Sequence, residues 1–187
     1  MKKINSKNLS LLFLGLTLSL TSCKKESAIT IPTTYNFSNV SYGGQTARLE
    51  MLQAMTTYMK TANTSGTTIS ATTLKEMFAN EGNPFTETAL NTAGKDIKSK
   101  TFGADVLMFE SNMEALATLS GTTTVASAGT AGIATSGSKA YLLNENGLEY
   151  TQLIEKGLMG ALSYYQISEN YTRDAKIGDT VDNETVE

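Results

Sequence analysis

The sequence predicts an all-α helical bundle with long polar loops, held at its N-terminus by a lipid anchor. Three observations predict it. Asn144–Tyr171 keeps one helical period along its length. The 187 residues hold 2 Pro and many Gly, Ser and Thr, a balance that favours helices joined by polar loops. The first residues have the form of a lipoprotein signal.

Residues 1–22 read as that signal. Lys2, Lys3 and Lys7 make a positive start, and Leu9–Leu20 is a short apolar run, too short for a comfortable membrane span. It ends in Leu20-Thr21-Ser22-Cys23, which resembles a bacterial lipobox: Leu at −3, small residues at −2 and −1, then the single Cys of the chain. Cleavage before Cys23 and a diacylglyceryl thioether on its sulfur are expected, leaving no disulfide possible within the mature chain. Lys24-Lys25-Glu26 resembles the signal that carries lipoproteins of Bacteroidetes-type bacteria to the outer leaflet, so the expected address is the outer membrane, surface-exposed, with the periplasmic leaflet as the rival. Residues 23–34 then form a tether.

The body spans residues 35–171. Tyr35–Tyr42 alternates weakly and reads as a short strand or a strap, broken by Gly43-Gly44. Thr46–Ala62 is a helix with Met51, Leu52, Met55, Tyr58, Met59 and Ala62 on one face. Thr73-x-x-Glu76 is a capping box in front of Leu74, Met77 and Phe78, and Gly82 and Pro84 stop that helix. Thr86 caps a further helix through Leu90, interrupted at Gly94, and Lys95–Lys100 is basic and solvated. Ala104–Leu119 is helical, carried by Val106, Phe109, Met113, Leu116 and Ala117. Ser120–Lys139 has almost no apolar anchors and reads as a long loop, functional or mobile.

The last helix organises the rest. Tyr150, Leu153, Ile154, Gly157, Leu158, Ala161, Leu162 and Tyr165 share one face, and Asn144, Asn146 and Gly147 precede them as start and turn residues. Continuous from Leu148 to Tyr171, it would be about 36 Å long. Leu148, Met159 and Ile167 on the other side mark it as a central helix touched from two sides, with Gly157, Gly160 and Ala161 admitting a close neighbour. Residues 172–187 form an acidic tail or the start of a linker.

The charge and residue inventory narrows the function. Net charge is −3, and removal of residues 1–22 takes away three lysines and no acid, leaving a mature chain at −6. Phosphate backbones need a basic surface, so nucleic acid is not an expected partner. There is no His, which excludes Ser-His-Asp and Cys-His catalysis and imidazole zinc sites within this chain. Glu155 sits between the apolar and polar sides of the last helix. One reading gives it a partly desolvated carboxylate with a raised pKa, available as a ligand or acid/base; the blander and commoner one lets it reach solvent past the rim. Glu149 and Glu155 are the only conceivable metal ligands, and two carboxylates on one helix do not make a site.

Several motifs weigh toward the bland side. Gly132–Lys139 looks like a phosphate loop with its Lys and hydroxyl positions exchanged, and reads better as a flexible loop. Ser136-x-x-Lys139 matches one motif of penicillin-recognising enzymes without its companions. Met51, Met55 and Met59 offer soft thioethers for Cu(I), but their stripe coincides with core positions. Asp179, Asp182, Glu184 and Glu187 lack the spacing of an EF-hand and read as a solvated tail.

Three stretches, Tyr35–Met51, Glu76–Phe85 and Asn144–Gln166, resemble an uncharacterised family of Bacteroidetes-type lipoproteins related to the imelysin-like, iron-regulated proteins. The resemblance implies a helical bundle in the cell envelope and a link to iron acquisition. The imelysin-like proteins carry a Gly-x-His-x-x-Glu motif that this chain lacks, and family members continue into a second helical half, so Met1–Glu187 is expected to be the N-terminal half of a longer protein or a truncated gene product. The leading expectation is a binding or interaction protein held to the membrane through Cys23, with a protein partner or a second copy as further partners and no cofactor identified. The alternative is half of an imelysin-like metalloprotein or peptidase whose His motif lies elsewhere.

Overall fold

The computed structural model describes residues 41–172. The signal, Cys23, the tether, most of Tyr35–Tyr42 and the acidic tail, with Asp179, Asp182, Glu184 and Glu187, lie outside the described residues.

Helix α1 spans Gly43–Thr61 and buries Arg48, Met51, Leu52, Met55, Thr56 and Met59, one stripe of positions three and four apart. Met51, Met55 and Met59 are each fully buried, so the methionine stripe is core. Helix α2, Ala71–Ala79, buries Leu74, Met77 and Phe78. Its cap is Ser70, whose Oγ accepts from the Thr73 N–H at 3.2 Å, so the expected capping box at Thr73 lies one turn inside the helix. Its end also differs from expectation. Asn80, at φ 53°, takes the left-handed position assigned to Gly82. An asparagine stands there because its Nδ2 donates to the carbonyls of Leu90 at 3.1 Å and Lys95 at 2.8 Å, tying the helix end to the next segment. That segment contains the short α3, Thr88–Asn91, which anchors through buried Leu90.

Lys95–Lys100 is not simply a solvated basic run. Ile97 is fully buried and its N–H donates to the Phe78 carbonyl, while Lys98 pairs with Glu110 at 2.8 Å. One apolar residue among charges is invisible to a periodicity argument, yet it pins this strap, which ends in the 3-10 turn Lys98–Lys100, to the core. Helix α4, Gly103–Leu119, buries Phe109, Met113 and Leu116.

The all-α expectation is corrected between α4 and the last helix. Strands β1, Gly132–Ser136, and β2, Lys139–Leu143, form an antiparallel hairpin closed by Gly137-Ser138, with Gly137 at φ 60°. The domain is therefore mostly helical with one small two-stranded sheet among the described residues. The hairpin escaped notice because its strands are short and rich in small residues, with Ile133 and Leu142 as its apolar anchors. Gly132 is required by close approach: a Cβ there would lie 2.4 Å from the Thr124 carbonyl oxygen. The start of the segment is also fixed, since the Gly121 N–H donates to the Thr67 carbonyl and the Gly66 N–H to that of Thr122. Asn63 Oδ1 accepts from the Leu142 N–H at 3.0 Å and docks the hairpin on the end of α1.

Helix α5 spans Tyr150–Tyr165 and buries Thr151, Ile154, Leu158 and Leu162, packing on both α1 and α4 as a central helix should. It is not one continuous α-helix to Tyr171: Gln166–Tyr171 winds as a π-helix. Leu153, expected on the core face, is 41% exposed, and the buried stripe is rotated toward Thr151. Asn144 starts the segment by accepting the N–H groups of Asn146 and Leu148 on its Oδ1.

Candidate functional site

The beginning of α1 meets the end of α5, and the end of α1 meets its beginning. Each junction carries a hollow, and the two differ in charge.

At the end of α1 stands Lys60. Its ammonium lies 3.4 Å from Glu155 Oε2, while Glu155 Oε1 accepts from Lys156 at 2.9 Å. Burial pushes the Glu155 carboxyl up, but the Lys156 hydrogen bond and the charges of Lys60 and Lys156 outweigh it, so its pKa is held below the ordinary value. Glu155 thus carries no raised pKa; partly buried, with its side chain 15% exposed, it is the acid of a two-lysine pairing. Glu149 precedes the first residue of α5 and lines a hollow of about 450 Å³ with Lys60, Asn63, Lys139, Tyr141 and Gln152. Burial raises its pKa; Lys60 opposes the rise and Glu155 adds to it. The two candidate carboxylates therefore come together around Lys60, an ammonium that already balances charge there. Among the described residues no three His, Cys, Asp or Glu side chains gather as a metal site would need.

Ser136 and Lys139 face each other across the tip of the hairpin rather than standing at a helix start. The segment resembling a phosphate loop is that same hairpin, ordered by its ladder rather than flexible.

The opposite junction holds the larger hollow, about 690 Å³, lined by Gly44, Gln45 and Arg48 from α1, Lys95 and Lys100 from the strap, and Glu169, Asn170 and Tyr171 from the π-helix, among others. Arg48 is 9% exposed; its Nε donates to the Asp96 carbonyl at 2.8 Å and its Nη1 to the Gly44 carbonyl at 3.1 Å. Gln45 Nε2 donates to the Tyr171 hydroxyl and joins α1 to the π-helix. Lys100 Nζ sits 5.2 Å from the centroid of the Tyr165 ring, itself stacked at a tilt on Phe102. An apolar groove along Leu49, Leu162 and Ile167 shares Gln45, Arg48, Gln166 and Tyr171 with this cleft. Sequence reasoning passed over Arg48 and read Lys95 and Lys100 only as parts of a solvated basic run. The signal was present: Arg48 lies three residues before Met51 and seven before Met55, on the stripe that α1 buries.

Fold and hollows together define a mostly helical domain with a small hairpin and an open polar cleft where the start of α1 meets the end of α5. The chain belongs to the DUF4856 family, a domain of unknown function, whose sequence model matches residues 32–187. No curated protein and no solved structure matches the chain.

Proposed function

We propose that this chain is a lipid-anchored protein of the cell envelope whose helical domain binds a ligand in the cleft between the start of α1 and the end of α5. The reading is of a binding protein, not an enzyme. The observation that carries it is the cleft itself, whose polar lining includes a nearly buried guanidinium that, among the described residues, donates to two neutral backbone carbonyls. Leu20-Thr21-Ser22-Cys23 supports the anchor, and Lys24-Lys25-Glu26 supports the outer face of the outer membrane. Exposed Leu49, Leu107, Met108, Met159 and Ile167 support a further protein partner or a second copy. The resemblance of Tyr35–Met51, Glu76–Phe85 and Asn144–Gln166 to relatives of the imelysin-like proteins supports a setting in iron acquisition.

Growth of the producing cells with an alkyne fatty acid tests the anchor. The wild-type chain is expected to take up the label and partition with membranes, and Cys23→Ser to lose both. A mature wild-type chain that is unlabelled and soluble would overturn the anchoring.

A further inference from the structure

We propose that the α1–α5 cleft recognises an oxyanion, a carboxylate or phosphate group carried by a small molecule or a lipid headgroup. This rests on the binding-protein reading above and names its ligand class.

The argument begins with Arg48. Its guanidinium is nearly buried, and among the described residues its bonds go to two neutral backbone carbonyls, which engage donors without supplying a negative charge. A buried charge without a counter-ion is costly, and an anion delivered from outside offsets that cost. The ion pairs among the described residues use Lys60, Lys75, Lys98 and Lys156. Arg48, Lys95 and Lys100 take part in none of them, and these are the three cations that line the cleft, against the single carboxylate of Glu169 among the described lining residues.

Two further features favour an anion. Helix α1 starts at this cleft with no side-chain cap and no acidic residue in its first turn, so the positive end of its dipole adds to the same field. The whole chain is acidic, at −3, so a positive hollow stands out against its surroundings and draws anions to one place. The guanidinium fork suits the paired oxygens of a carboxylate or phosphate, while Lys95 and Lys100 act as point charges beside it. Gln45, Asn170 and Tyr171 add side-chain hydrogen-bonding groups to the wall.

The full chain, extracted in a nonionic detergent, is titrated by calorimetry with inorganic phosphate and with citrate at constant ionic strength, and mixed with phosphatidylcholine vesicles with and without phosphatidylglycerol. Saturable binding of the soluble anions assigns a free ligand; binding only to the phosphatidylglycerol vesicles assigns a headgroup. Either is expected to weaken about tenfold or more in Arg48→Met and in the double variant Lys95→Gln/Lys100→Gln. The double variant changes only side chains outside the core, so it reports on recognition even where Arg48→Met unfolds. No saturable binding in any arm, or binding unchanged in the double variant, overturns the proposal. Failure here with Cys23 still labelled removes the ligand class and leaves the anchored protein; an unlabelled chain that binds phosphate does the reverse.

Discussion

The two ends of the α1–α5 pair handle charge in opposite ways. At the Lys60 end, two lysines meet Glu155 and a second carboxylate, Glu149, stands close by. At the Arg48 end, three cations line a larger hollow and none has a carboxylate partner among the described residues. Between them the helices are joined by ordinary apolar packing. The contrast is one of balance: at the Lys60 end the chain sets carboxylates against its lysines, whereas the cations at the Arg48 end form no ion pair among the described residues.

The comparison requires the core between the ends to act as a rigid spacer, and the largest expected effect tests that. Met55 is fully buried at the middle of the α1 stripe. Met55→Ala is expected to cost about 2–5 kcal/mol in denaturant unfolding, the range for deleting a packed Met. A loss well under 1 kcal/mol would mean that α1 is loosely held and that the two ends are not fixed relative to each other.

A subtler test lies on α5, where two glycines three residues apart sit in different surroundings. A Cβ on Gly157 would meet Phe109 Cε1 at 2.7 Å, inside the core, whereas one on Gly160 would find nothing within 4 Å. Gly157→Ala is expected to destabilise by about 1–3 kcal/mol through overpacking against a ring that cannot swing away. Gly160→Ala is expected to stabilise by up to about 1 kcal/mol through helix propensity alone. Opposite signs in a thermal melt confirm that α4 closes on α5 at Gly157; equal signs would move the contact elsewhere.

Those glycines also mark what was legible in the sequence. The period of α5, the methionine stripe and the run from Phe109 to Leu116 carried the helical core, because burial repeats every three or four residues there. The hairpin was not legible, since its strands are five residues each and lean on Ile133 and Leu142 rather than on a long alternation. The π-helix after Tyr165 shifts the bonding from i→i+4 to i→i+5 over only six residues, too few to show as a break in the apolar period, so periodicity carried the helix straight through to Tyr171. Glu155 was legible as a candidate because it sits between the apolar and polar sides of the last helix, with Glu149 a second carboxylate near its start. Their partner Lys60 was not, because it comes from another helix far away in sequence. The cleft was hidden for the same reason: Arg48, Lys95, Lys100 and Tyr171 meet only in three dimensions.

The smallest effect expected is at the closed end, and its sign separates the two glutamates. Glu155 is held below the ordinary carboxyl pKa, so its ionised form is favoured by folding. Its contribution is present above the unfolded value and is lost as pH falls through the folded one. Glu149 is raised, chiefly by burial, so its contribution is present below the unfolded value and is lost as pH rises through the folded one. Glu155→Gln is therefore expected to lower stability at pH 7 by about 0.5–1 kcal/mol, since Lys60 and Lys156 are half-exposed and water screens the pairing. The loss should shrink on acidification below the ordinary glutamate range. Glu149→Gln should do the opposite, with a small gain at pH 7 that disappears in acid. Melts of both variants from pH 3 to 8 read this directly. Parallel pH profiles for the two would mean that Lys60 does not distinguish them, and the charge balance that sets this end apart from the Arg48 end would have to be redrawn.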